Sequence, residues 1–231
     1  MTNLARRVGL CYSLAAMFAA TACDSNAAPT SPTRGGDEAA SAAPGRIVVL
    51  GDSLAVSPSR TDNFPAALQR RLNSGDRRWS VVNSGVSGDT TAGGVRRFDA
   101  ATEGGADILI LELGANDGLR GVDTSAIERN IAAIIERAQG RGIQVLLCGM
   151  ETPPLHGWDY TVEFHRIFPR LASRYDVPLV PFLLAGVALN PEMNGEDEIH
   201  PNAAGAQRIA DTVWVFLQPM VEGKSTAAAG H

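Results

Sequence analysis

From Arg46 onward, short unbroken apolar runs alternate with longer segments in which apolar residues return every third or fourth position. Ile47-Val48-Val49-Leu50, closed by Gly51, is the clearest of the runs, and 79–83, 107–113, 143–148 and 178–182 are built alike. A continuous run of this length, bounded by turn residues, predicts a strand buried on both faces. Between the runs, Ile127, Ile131, Ile134, Ile135 and Ala138 are spaced for one face of a helix, as are Ala206, Ile209, Ala210, Val213, Trp214 and Leu217. Weaker helical spacing marks 64–72, 92–101 and 160–174.

Strict alternation of this kind predicts an α/β fold with right-handed crossovers, a central parallel sheet of about five strands and helices on both faces. Ligands of such sheets bind beyond the carboxyl ends of the strands, so reactive groups should lie just after strands. The residues after the first three runs are small and polar: Gly51-Asp52-Ser53, then Ser84-Gly85-Val86-Ser87-Gly88-Asp89, then Gly114-Ala115-Asn116-Asp117.

The first 44 residues have a different character. Arg6-Arg7, an apolar stretch over 8–22 and the small residues Ala20-Thr21-Ala22 before Cys23 form an export signal. Its apolar part is about 15 residues, short of the ~20 that span a bilayer. Small residues leading into a cysteine resemble a bacterial lipobox, which makes Cys23 the candidate for lipidation; an ordinary secretory signal cut near Ala22 or Ala28 is the alternative. Residues 23–44, rich in Ser, Ala, Pro and Gly, read as a tether without a core of their own. The expected organisation is therefore a signal over 1–22, a tether over 23–44, one folded domain over 45–222 and a flexible tail over 223–231.

Composition narrows the function classes. The 231 residues carry a formal net charge of −5, without the basic clustering that phosphate binding needs, so a nucleic-acid partner is not expected. Cys11, Cys23 and Cys148 are too few and too scattered for a zinc site or a disulfide framework, and His156, His165, His200 and His231 lack metal-ligand spacing. No phosphate-cradling glycine motif comes after a strand. Neither a metal nor a cofactor is expected, and the domain is expected to be a monomer that meets the membrane only through an N-terminal lipid anchor.

Ser53 directly follows a buried strand and is the candidate nucleophile; a serine hydroxyl needs an adjacent base to act as one. His200, in the turn Ile199-His200-Pro201-Asn202 before the last helix, is the candidate base. Asp197, three residues earlier, can fix the imidazole tautomer; Glu196 and Glu198 flank it, and the spacing favours Asp197. The Ser53 and Gly88 N–H groups and the Asn116 side-chain amide can supply an oxyanion hole. Asp52, Asp89 and Asp117 read as structural hydrogen-bond acceptors, His165 as an ordinary helix residue and Cys148 as a small core hydrophobe.

These blocks, Gly51-Asp52-Ser53-Leu54, Ser87-Gly88-Asp89-Thr90, Gly114-Ala115-Asn116-Asp117 and Asp197-Glu198-Ile199-His200-Pro201, together resemble in order the four signature blocks of the SGNH/GDSL hydrolases. Their surroundings are most similar to the bacterial thioesterase I, lysophospholipase L1 and arylesterase branch, and the resemblance spans roughly 46–221. It implies a flavodoxin-like three-layer α/β/α sandwich and hydrolysis of acyl esters or thioesters through an acyl-serine. It assigns Ser53, Asp197 and His200 as the triad, and Gly88 and Asn116 as oxyanion donors. Short to medium acyl, aryl or lysophospholipid-type esters are the expected substrates, with O-acetyl groups on envelope or extracellular glycans as the alternative. Two stretches depart from the family pattern: Leu54-Ala55-Val56-Ser57-Pro58-Ser59 after the serine, and residues 151–160. Pro58, Leu155 and Trp158 in these stretches are the candidates for an apolar substrate wall.

Overall fold

The computed structural model describes residues 45–74 and 79–223; the signal, tether, lipidation and tail expectations fall outside them, apart from Gly223. Five strands run through the centre: β1 (Gly45–Gly51), β2 (Trp79–Asn83), β3 (Ile108–Glu112), β4 (Gln144–Cys148) and β5 (Leu179–Val180). All neighbours pair in parallel, in the order β2-β1-β3-β4-β5. Ile47 to Leu50 and Ile108 to Leu111 have no exposed surface, which is why these runs carry no polar alternation.

The helices are α1 (Ser53–Val56), α2 (Phe64–Leu72), α3 (Thr91–Ala101), α4 (Ala115–Arg120), α5 (Thr124–Gln139), α6 (Trp158–Tyr175) and α7 (Ala203–Val221). Asn63, Thr90, Asp123 and Asn202 start α2, α3, α5 and α7 by accepting a backbone N–H from the first turn. The chain steps from β1 to β2 in one direction and then crosses back over β1 to β3 and onward. Right-handed crossovers therefore put α2 on one face of the sheet and α3, α5 and α6 on the other. The packing agrees: α2 lies against α7, α3 against α5, and α5 against α6. This is the three-layer α/β/α sandwich, with the flavodoxin-like strand order and its reversal point between β1 and β3.

The elements depart from expectation in two ways. The run 178–182 predicts a longer fifth strand, whereas pairing is limited to Leu147 with Leu179 and Cys148 with Val180. Pro178 and Pro181 bracket that pair, and neither has an N–H to extend the ladder. The polar segments after β1 and β3 also wind directly into α1 and α4, so Ser53 and Asn116 stand on helical turns at the sheet edge.

Candidate active site

The site is built where β1 and β3 end side by side, with Gly51 opposite Glu112 in the register. Ser53 opens α1, and Asp52 caps it, its Oδ1 accepting the Leu54 N–H over 3.0 Å. The strand below is fully buried over Ile47 to Leu50 and the cap holds the turn, so the half-buried Ser53 side chain rises from a closely packed base.

The facing group comes from a loop that folds on itself just before α7. Gly195 N–H donates to the His200 carbonyl over 2.8 Å, and Asn194 and Pro201 bridge antiparallel. Glu198 turns the chain at φ 57°, with its N–H on the Gly195 carbonyl. Inside this loop Asp197 Oδ1 accepts the N–H groups of His200 (2.9 Å) and Ile199 (3.1 Å), while Oδ2 lies 2.5 Å from His200 Nδ1. The bond to the imidazole, then the two backbone bonds, hold the Asp197 carboxyl down at about 2. An ionised carboxylate only accepts, so Nδ1 carries the proton and Nε2 offers its lone pair. That nitrogen lies 2.9 Å from Ser53 Oγ. An imidazole held this way can take a hydroxyl proton as the oxygen attacks an electrophile.

Asn116 stands on the first turn of α4, and its Nδ2 donates to Asp52 Oδ2 over 3.0 Å. One amide hydrogen is used in that bond, which leaves the second for another acceptor. Gly88 lies in the turn after β2 at φ 75°, a conformation that L side chains rarely adopt, and its carbonyl accepts from Arg120 of α4 over 2.9 Å. Beside it Asp89 pairs with Arg97 (2.6 Å) and accepts from Thr90 N–H (2.9 Å). Asp117, which is buried, receives both the Thr91 N–H (2.9 Å) and the Thr91 hydroxyl (2.7 Å), tying α4 to the start of α3.

Among the expected wall residues, Pro58 is exposed and follows a cis peptide bond from Ser57. Leu155 and Trp158 are 66% and 73% exposed on the segment after β4. His165 is exposed, 3.6 Å from Glu151, and Cys148 is fully buried at the end of β4. Burial pushes that thiol well above its ordinary value, so it has no thiolate character. Among the described residues no group of three His, Cys, Asp or Glu side chains is arranged to hold a metal, and no helix is long and apolar enough to cross a membrane.

Sequence reasoning missed Glu112, Arg97 and Arg120. Glu112 carried a signal: it is the only ionisable side chain within the apolar run 108–113, a place where charge is rarely tolerated without a reason. Arg97 and Arg120 carried none, since each lies in a segment that reads as an ordinary solvated helix or turn.

Comparison with known proteins extends the geometry. Residues 49–208 match the model of the GDSL-like Lipase/Acylhydrolase family. The chain is 37% identical to Esterase TesA of Pseudomonas aeruginosa, over 76% of this chain and 89% of that protein. It is 36% identical to the Escherichia coli protein named Thioesterase 1/protease 1/lysophospholipase L1, over 80% of this chain and 88% of that one. A crystal structure of TesA superposes with a TM-score of 0.72 at 35% identity, covering 76% of this chain and 99% of its own.

Proposed function

Because the chain belongs to the GDSL-like lipase/acylhydrolase family and hydrolyses small-molecule esters, we propose that it does so by acyl transfer through Ser53. His200 Nε2 takes the Ser53 proton as Oγ adds to the ester carbonyl. The oxygen that becomes negative is met by the Ser53 and Gly88 N–H groups and by the free amide hydrogen of Asn116. His200 then returns the proton to the leaving alcohol or thiol, and an acyl-serine remains. Water, deprotonated by the same nitrogen, releases the acid. Asp197 keeps the imidazole in one tautomer and stabilises it when protonated.

The observation that carries this reading is the unbroken relay from Asp197 Oδ2 to His200 Nδ1 (2.5 Å) and from His200 Nε2 to Ser53 Oγ (2.9 Å). Ser53 and His200 are 147 positions apart, and neither local segment requires the other.

Short to medium acyl esters, aryl esters, lysophospholipid-type esters and thioesters are the proposed substrates. Support comes from the apolar side chains left open at the strand-end edge, Leu155 and Trp158 above all, with Pro58 after α1 as the third wall residue. Export of the domain, with Cys23 as a lipid-bearing residue, rests on the signal pattern over 1–22.

The test is a hydrolysis panel of p-nitrophenyl esters of increasing acyl length, acyl thioesters and acetylated sugars, with Ser53→Ala as control. A fluorophosphonate should label the wild type and leave folded Ser53→Ala unlabelled. Substantial hydrolysis by that folded variant would sink the assignment, and a clear preference for acetylated sugars would move the substrate class to O-acetyl glycans.

A further inference from the structure

Under the site lies a pair of carboxyl groups that the acyl-transfer steps do not use. Glu112, at the end of β3, has no exposed surface, and its Oε1 has no hydrogen-bond partner among the described residues. Its Oε2 accepts the Asp52 N–H over 3.0 Å. Asp52, equally buried, has better company: Leu54 N–H on Oδ1 and the Asn116 amide on Oδ2, each at 3.0 Å.

Two carboxylates sharing one buried site cannot both stay ionised, and an ionised oxygen without a donor is costly in a dry interior. The surroundings offer Glu112 little relief. Arg97 is the cation whose charge reaches it, yet the Arg97 nitrogens donate to Asp89, the Ser84 carbonyl and the Gly51 carbonyl. Cys148 is a buried neutral thiol, and His200 acts on Asp52. The donors thus favour a charge on Asp52 and a proton on Glu112.

We propose that Glu112 is a positioning residue: it holds the proton of the pair, leaves the single negative charge on Asp52, and through Asp52 fixes the Asn116 amide. Asn116 then spends one hydrogen on Asp52 and turns the other toward the place where the substrate oxygen becomes negative. The role rests on the reading of Asn116 as an oxyanion donor. Burial raises both carboxyls, and Glu112 further than Asp52: burial, and after it the Asp52 charge, push Glu112 well above the ordinary range, in line with the donor pattern. Gly51 is part of the arrangement, because a Cβ there would come within 2.3 Å of Glu112 Oε2.

Infrared difference spectra of the wild type against Glu112→Gln at neutral pH test the proton. The carbonyl stretch of an un-ionised carboxylic acid should be present in the wild type and lost in the variant. Kinetics on a p-nitrophenyl ester test the positioning. Glu112→Ala should lower kcat about 10-fold to 100-fold with KM nearly unchanged. Glu112→Gln, which keeps a neutral donor of the same shape, should rescue most of that loss. Asn116→Ala should cost far less in the Glu112→Ala background than alone, since both remove one oriented donor.

A missing acid band, a Glu112→Gln loss as deep as that of Glu112→Ala, or additive losses with Asn116→Ala would overturn the proposal. If Glu112→Ala does not fold, the band and the Glu112→Gln kinetics decide. Failure of the acyl-transfer reading is seen separately, as an active Ser53→Ala, and would leave the infrared result standing on its own.

Discussion

The Arg97 guanidinium donates to the Gly51 carbonyl over 2.7 Å, so that a side chain of α3 closes the end of β1, the strand that leads into Ser53. The same group reaches the Ser84 carbonyl after β2 (2.5 Å) and the Asp89 carboxylate (2.6 Å). One planar fork therefore joins the serine strand to the turn that carries Gly88. Lysine has the charge without the fork: its three donors share one nitrogen and cannot reach the separate positions that Arg97 Nε, Nη1 and Nη2 occupy.

Arg97→Leu leaves Asp89 unpaired where its side chain is only 11% exposed. Removing one partner of a largely buried pair costs about 3 kcal/mol, which urea unfolding will read. Arg97→Lys should recover part of the stability while kcat stays lowered, because the Gly88 turn is no longer tied to Gly51. Equal kcat for Arg97→Lys and wild type would show that the fork does not hold the turn.

Gly51→Ala tests how tightly the strand end is packed. The added Cβ would lie 2.3 Å from Glu112 Oε2 and 2.9 Å from the Ala55 Cβ, and Ala55 is fully buried. Overpacking of that kind costs roughly 1–3 kcal/mol. The loss should appear as a lower Tm, and a Tm equal to wild type would mean that β1 and α1 part easily.

Asp197 should not limit activity in mild acid. Held at about 2, its carboxylate stays ionised throughout the ordinary carboxylate range. Because its folded value is lowered, the Asp197 contribution to stability is complete above the unfolded carboxyl's range and is lost only as pH falls toward about 2. A kcat/KM profile should therefore show no limb in the ordinary carboxylate range. Asp197→Asn should lower kcat by about 10²-fold or more at every pH, by removing the charge opposite the imidazolium. A limb in that range, or an unimpaired Asp197→Asn, would contradict the relay.

Stability should respond to pH in the opposite sense through Glu112. The folded chain keeps a proton there that the unfolded chain has given up, because burial and the Asp52 charge raise the folded value. The folded state then binds more protons than the unfolded one, and stability falls as pH rises above the ordinary carboxylate range. Glu112→Gln, with nothing to ionise, should lose that slope and gain on the wild type as pH rises. Parallel curves of unfolding free energy against pH for the two proteins would be the contrary result.

Much of the site was legible in the sequence because its parts are local. Ser53 comes after an apolar run that can only be a buried strand, and Asp197 lies three residues before His200 in a turn that closes on its own backbone. The two short helices after β1 and β3 were not legible, since four and six residues leave no room for helical periodicity. Glu112 was visible only as an anomaly in a strand, and nothing in the linear order connected it with Asp52, 60 positions away. Arg97 looked like any charged helix residue until its three acceptors, drawn from two strand ends and a turn, came together around it.

The sequence by itself determined the layer order and which ends of the strands carry chemistry, because burial on both faces and the handedness of crossovers act on local pattern. It also determined that Asp197 and His200 meet, since their spacing is bridged within one loop. The tertiary structure decided the rest: that His200 meets Ser53 across 147 positions, that Asp52 shares a buried site with Glu112, and that the Asn116 amide donates to Asp52. Those relations depend on how strand ends are brought side by side and on what water they exclude. Hydrogen bonding and ionisation in a buried site depend on the neighbours present there, and neighbours of that kind are set by packing in three dimensions.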